Sequence, residues 1–320
     1  MSNRMRLLAL ALCLWLLMPA ALLEEAGTFP PLTAAGFLPD GQPEFVYINA
    51  DGGLWRYASQ DLRIEITRHT QDNPRMRWLV AEIFVNDGAQ PFRMYSYDHA
   101  HILKDWSRCY EKPVNIAKQH NLVFTMDGDY FIYRLSASNR SKYRQAVGVT
   151  IRQGEILVDI PASEKRNTYP PLDMLALFPD GDMQVFKARE KTAQELVDMG
   201  ATDVLSFGPY LIRDGEINTS YVHYGTTLQP RAAIGMVEKG HYIAVIVEGR
   251  IRPSKGMTCR EVADLMAGLG CTTAFNLDGG WTSAMVFMGK QLNQLDNTGI
   301  KDNARKQNEV LGIGVTSAYQ

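Results

Sequence analysis

Acids that interrupt apolar runs beside glycines are the residues of this chain best placed to do chemistry. The sharpest case is Asn276-Leu277-Asp278-Gly279-Gly280-Trp281-Thr282-Ser283, where a buried-strand pattern stops at an acid, two glycines and two hydroxyl residues. Two other apolar runs stop alike: 122–126 leads into Asp127-Gly128-Asp129, and 203–207 into Gly208-Pro209. Carboxylates at such turns can serve as nucleophile, base or orienting group. Asp-Gly is also a common hairpin turn, so each acid has a plain reading as a turn cap. Glu248, closing the apolar run 242–247, is a further candidate acid.

These turns need elements to hold them. A short helix over 114–120 precedes the first strand. Thr192 and Glu195 form a capping box for a second helix that Gly200 stops. Thr258 and Glu261 cap a third, in which Val262, Leu265, Met266 and Leu269 fall at i, i+3, i+4 and i+7, and Gly270 closes it. Helix, strand and glycine-bearing turn thus occur three times. The expectation is that Asp127, Asp129, Gly208 and Asp278 converge on one pocket; the alternative is three unrelated turns. Upstream, the runs 54–57, 62–66 and 78–85 read as antiparallel strands whose alternating Arg and Glu residues form solvated faces. The fold class expected is α+β, with mixed β-sheets, a few flanking helices and a short antiparallel-strand region before the main domain. The chain divides into 1–23, a linker at 24–43, a strand region at 44–110 and a main domain at 111–320.

Of the 320 residues, 46% are apolar and 21% charged, which supports a sizeable core and excludes disorder. A formal charge of −2 carries no footprint for nucleic acid. Arg4 and Arg6 before the apolar run 7–17 read as an export signal, either cleaved or retained as a membrane anchor, so the protein is expected to be secreted or extracytoplasmic. Cys259 and Cys271, at the two ends of the third helix, lie about 18 Å apart at 1.5 Å per residue and cannot pair. Without a Cys/His cluster no structural zinc site is expected. Three acids in one pocket leave Ca²⁺ possible, but no spacing resembles a calcium loop and no cofactor is assigned. His223 reads as a surface or packed histidine.

The chain resembles the phosphodiester glycosidase family. The matching motifs are Met126-Asp127-Gly128-Asp129-Tyr130-Phe131, Phe207-Gly208-Pro209-Tyr210-Leu211 with Asp214-Gly215, Gln229-Pro230-Arg231-Ala232-Ala233-Ile234-Gly235, Glu248-Gly249-Arg250 with Ser254 and Gly256-Met257, and the stretch from Asn276 to Val286. They span about residue 110 to the C-terminus in family order. The resemblance implies an exported hydrolase of glycosyl phosphodiesters, N-acetylglucosamine-like, in cell-wall or exopolysaccharide-type material. The rival is a non-catalytic carbohydrate-binding or assembly protein retaining the pocket. Three departures stand out: Asp127 where the family usually has Asn, Glu248 where it has Asp, and Trp281 where it has Gly. The indole either stacks on a sugar face or narrows the pocket.

Releasing a sugar from such a diester requires stabilising an oxocarbenium-like centre and holding a phosphate leaving group. Arg231 is the candidate cation, because its planar fork binds two phosphate oxygens and keeps its charge. Its plain reading is a salt-bridging arginine before a strand. Asp278 is first choice for the catalytic carboxylate, with Asp127 and Asp129 competing for the orienting role. Backbone amides after Gly279 and Gly280, with the Thr282 and Ser283 hydroxyls, are expected to cradle phosphate.

Overall fold

The computed structural model describes residues 27–98, 110–129, 148–160, 172–221 and 223–319. The export run 1–23, Cys13, Cys109, Tyr130 and Phe131 lie outside them. The first strands are β1 (Phe45–Asn49), β2 (Leu54–Ala58), β3 (Leu62–Asp72), β4 (Arg75–Val85) and β5 (Arg93–Ser96). Next come α1 (Pro113–Gln119), β6 (Leu122–Asp127), β7 (Gly148–Arg152), β8 (Glu155–Ile160), β9 (Asp173–Leu177) and β10 (Met183–Phe186). They are followed by α2 (Ala193–Asp198), β11 (Asp203–Phe207), β12 (Tyr210–Arg213), β13 (Glu216–Ile217), β14 (Arg231–Glu238) and β15 (His241–Val247). The chain ends with α3 (Cys259–Gly268), β16 (Thr273–Leu277), β17 (Met285–Phe287), β18 (Lys290–Gln291) and β19 (Glu309–Val315).

The strands form a nine-stranded sheet, β1-β2-β3-β4-β15-β14-β16-β12-β13, and two five-stranded sheets, β10-β9-β11-β7-β8 and β18-β17-β6-β19-β5. Pairing among the described strands is antiparallel throughout. Alternation explains which way the strands face: Leu62, Ile64 and Ile66 of β3 are buried, while Arg63 and Glu65 point outward. The inner faces meet in one core, with Ile64, Leu79, Ile234 and Phe275 from the large sheet packed with Phe124, Leu175, Leu205 and Leu311 from the other two.

Each sheet has an outer face covered by one helix. Val262, Ala263 and Met266 of α3 pack with Ala233 and Val245. Ala193 and Leu196 of α2 pack with Ile151 and Val204. Val114, Ile116 and Ala117 of α1 pack with Val286 and Val310. This is the α+β arrangement, with helices laid on sheet faces. Both capping boxes form, and Gly200 and Gly270 stop their helices at positive φ. Thr258→Ala is expected to cost about 1 kcal/mol, seen as a lower denaturant midpoint with an unchanged m-value. Cys259 and Cys271 are buried free thiols.

The upstream strands share the large sheet, because β4 runs alongside β15 from Trp78↔Val247 to Phe84↔His241. The described part of the 24–43 segment lies against them: Phe37 and Leu38 are buried, the Leu38 amide donates to the Ser59 carbonyl, and Arg56 donates to the Gly27 carbonyl.

Candidate active site

Antiparallel register sends the four family-like turns to one end of the large sheet's strands. Arg231, the first residue of β14, sits opposite Val247 at the end of β15, and Ala232 sits opposite Leu277 at the end of β16. Tyr210, the first residue of β12, is opposite Phe275. The segments at 208–210, 229–231, 248–250 and 278–280 are therefore neighbours. Glycines permit the close approach: a Cβ on Gly279 would stand 2.8 Å from the Pro230 carbonyl oxygen, and one on Gly249 2.7 Å from the Pro230 nitrogen. β17, just beyond the Asp278 turn, pairs with β6 through Met285↔Met126 and so brings Asp127 to the same place.

Asp127 has no exposed surface. One carboxyl oxygen accepts from the Ala284 amide at 3.0 Å; the other is buried without a hydrogen-bond partner. Burial holds this carboxyl well above the usual carboxylate range, the Ala284 amide pulls back only in part, and the negative charge of nearby Asp278 pushes it further up. The neutral acid is thereby favoured, a group shaped and bonded like the Asn that the family resemblance places there. Asp278 is half-buried and accepts from its own neighbour, the Gly279 amide, at 2.8 Å. Two more buried polar atoms on these turns lack partners: Ser283 Oγ and Asn276 Oδ1. Asn276 is fixed by its Nδ2, which donates to the Gly208 carbonyl at 2.8 Å, and the Gly208 amide donates back to the Asn276 carbonyl. Buried polar atoms are nearly always satisfied, and three unsatisfied ones here lie on adjoining turns.

Asp129 takes a structural position. It accepts from the Ser206 amide at 3.0 Å and from Arg152 at 3.1 Å. Arg152 is 1% exposed, and all five of its N–H groups are used: two bond Glu309 at 2.6 Å, two bond the Ile151 and Val204 carbonyls, and one bonds Asp129. Sequence reasoning missed Arg152 and Glu309, since nothing in the order of residues pairs positions so far apart.

Glu248 is likewise engaged. It forms a short ion pair with Arg77 of β4, and its other oxygen accepts from the Gln294 amide at 2.7 Å. Burial pushes this carboxyl up while the Gln294 amide and Arg77 pull it back. The extra methylene of Glu over Asp lets it reach this partner from the upstream strands.

Arg231 is buried, its guanidinium donating to the Met257 and Thr227 carbonyls at 3.1 and 2.9 Å. Arg250, to which the sequence reading gave no role, is an exposed cation. Its Nε donates to Gln229 at 2.8 Å, and its Nη1 would lie 3.5 Å from a Cβ on Gly280.

Of the groups expected to cradle phosphate at the glycine turn, Ser283 Oγ is the one buried without a partner, and several others are engaged within the turn. The Gly279 amide is spent on Asp278, the Gly280 amide on the Pro230 carbonyl, and both the amide and hydroxyl of Thr282 on the Gly279 carbonyl. Trp281 projects from a single 3₁₀ turn, Gly280–Thr282, and is 44% exposed, so its indole stands in solvent beside the turn. His223 begins another such turn, His223–Thr226. Among the described residues no three His, Cys, Asp or Glu side chains gather as a metal-binding group.

With this geometry in place, comparison with known proteins is decisive. The profile of the phosphodiester glycosidase family matches residues 120–314. The chain belongs to that family. The upstream strands β1 to β5 lie outside the matched region. Over 169 residues, 52% of the chain, it is 30% identical to the SPbeta prophage-derived uncharacterized protein YomE of Bacillus subtilis strain 168, and the match covers 26% of that protein. In fold it is similar to the catalytic domain of zebrafish N-acetylglucosamine-1-phosphodiester alpha-N-acetylglucosaminidase, auto-inhibited by its pro-peptide. The TM-score is 0.59 at 17% identity, covering 85% of this chain and 88% of that one. A hypothetical protein from Synechocystis matches with TM-score 0.54 at 11% identity, covering 85% of this chain and 64% of its own.

Proposed function

We propose that this protein is an exported hydrolase that cleaves N-acetylglucosamine-like glycosyl phosphodiesters in cell-wall or exopolysaccharide-type material. The observation that carries the reading is the set of unsatisfied buried atoms of Asp127, Asn276 and Ser283 beside Asp278, within a family defined by this reaction class. Asp278 serves as the ionised carboxylate that attacks the anomeric carbon or activates water for that attack. Asp127, neutral, donates a hydrogen bond to the sugar through its free oxygen. Arg250, exposed at the turn, neutralises the departing phosphate, which is a good enough leaving group to need charge more than a proton. Trp281 offers a face for the sugar ring or its aglycone.

Incubating the protein with an N-acetylglucosamine-1-phosphodiester should liberate free sugar, with Asp278→Asn inactive. The spent turn amides favour a second reading, a binding protein that keeps the pocket without catalysis. Retained sugar-phosphodiester affinity with no release by the wild type would decide for it.

Asp127 also predicts a pH dependence. Its carboxyl is raised in the folded state, so as pH climbs above the ordinary carboxylate range the unfolded chain loses a proton that the folded chain keeps. Stability therefore falls with rising pH through that window, by at most about 1.4 kcal/mol per pH unit. Asp127→Asn should flatten this slope and gain stability relative to wild type as pH rises above the ordinary carboxylate range, read in urea titrations, while retaining sugar release.

A further inference from the structure

The exposed cations beside the Gly279-Gly280 turn extend beyond Arg250, the one given a part in the cleavage chemistry. Arg250, Arg252 and Lys255 are all exposed on one tight loop, closed by the Ile251↔Ser254 bridge. The loop is braced from three sides: the Lys255 amide donates to the Arg75 carbonyl, Ser254 Oγ accepts from the Arg77 amide, and the Arg252 amide donates to Asn297 Oδ1. Arg75, at the start of β4, adds a fourth exposed cation. None of the four is held in an ion pair among the described residues. The acids nearby offset them in part. Asp72 faces Arg75 across the hairpin, and Asp296 is occupied by Thr298 and Asn303. In a chain of net charge −2 this is a local concentration of positive charge, held rigid, with one end on the catalytic turn at Gly280 and the exposed indole of Trp281 beside it.

We infer that this loop is an extended subsite for a polyanionic glycan: a chain of sugars joined by phosphodiesters, whose further phosphates lie on Arg252, Lys255 and Arg75 while the scissile one lies at Arg250. The inference rests on the proposed reaction, and it narrows the substrate from a single sugar phosphodiester to a repeating polymer. Cations outside any ion pair, carried on a braced loop, gain most from a ligand that presents phosphates in series, and the gain is screened by salt. Glycan rather than nucleic acid is indicated because the loop continues directly into the sugar site.

The test measures binding, so it does not depend on turnover. Affinity is measured for a synthetic tetramer of N-acetylglucosamine-1-phosphate units, for neutral chitotetraose, and for a single-stranded DNA oligonucleotide of matched charge. The tetramer should bind best and weaken steadily with added salt. Arg252→Glu/Lys255→Glu should cut its affinity about tenfold or more, taking each exposed pair at the upper end of measured values, and Arg252→Gln/Lys255→Gln should cut it by less. Release of sugar from the monomeric diester should be unchanged in both variants. Equal binding of chitotetraose, preference for the DNA, or an undiminished affinity after double charge reversal would each overturn the inference. Absence of hydrolysis with tetramer binding intact would count against the proposed reaction alone.

Discussion

Asp278→Asn is expected to lower kcat for sugar release by about 10³-fold with KM changed little, measured on an N-acetylglucosamine-1-phosphodiester. The amide keeps the shape of the carboxylate and leaves an oxygen to accept from the Gly279 amide, so the turn and the fold should survive. What disappears is the negative charge needed beside a developing oxocarbenium centre. Asp127→Asn tests the converse. Asp127 is buried, and its burial with the nearby charge of Asp278 raises its carboxyl and favours the protonated form, which an amide resembles. The two substitutions are chemically identical and fall on adjoining turns, yet they should differ by orders of magnitude in effect. Equal losses from both would mean that the two acids share one proton in the reaction, and Asp127 would then be the general acid.

Arg152→Met is expected to destabilise the fold by about 3–5 kcal/mol, read from urea unfolding. The guanidinium is fully buried and is the shared partner of Glu309 and Asp129. Removing it strands two carboxylates in a low-dielectric interior, with Asp203 close by and already pushed up by its own burial. The bonds to the Ile151 and Val204 carbonyls are lost as well. Because Arg152 joins β7 to β19 and to the end of β6, the damage should reach the Asp127 turn, and sugar release should fall together with stability. A double substitution, Arg152→Met with Glu309→Leu, should recover part of the loss by removing one stranded charge. A cost under about 1 kcal/mol for Arg152→Met would show that water replaces the guanidinium there.

Patterns within a few residues were legible from sequence. The capping boxes at Thr192 and Thr258, the stops at Gly200 and Gly270, and the strands that deliver Asp127, Gly208 and Asp278 all stand where the sequence places them, because caps, periodicity and turn residues act over one or two turns of chain. The family motifs fall on turns that the strand register brings side by side. Burial and partners were not legible. Glu248 meets Arg77 across 171 residues, Asp127 meets Ala284 across 157, and Arg152 meets Glu309 across 157. Those encounters set which carboxyl burial raises, which is tied in an ion pair and which accepts from the Gly279 amide.

The same division separates the two arginines. Arg231 and Arg250 both follow short motifs before or after a strand, and either side chain suits phosphate. Register and packing then enclosed Arg231 among the carbonyls of Met257 and Thr227 and left Arg250 exposed at Gly280. By itself the sequence determined where strands stop and which turns carry acids and glycines. The tertiary structure decided the charge state and accessibility of each of those groups, because desolvation and Coulomb interactions depend on neighbours in space, whatever their distance along the chain.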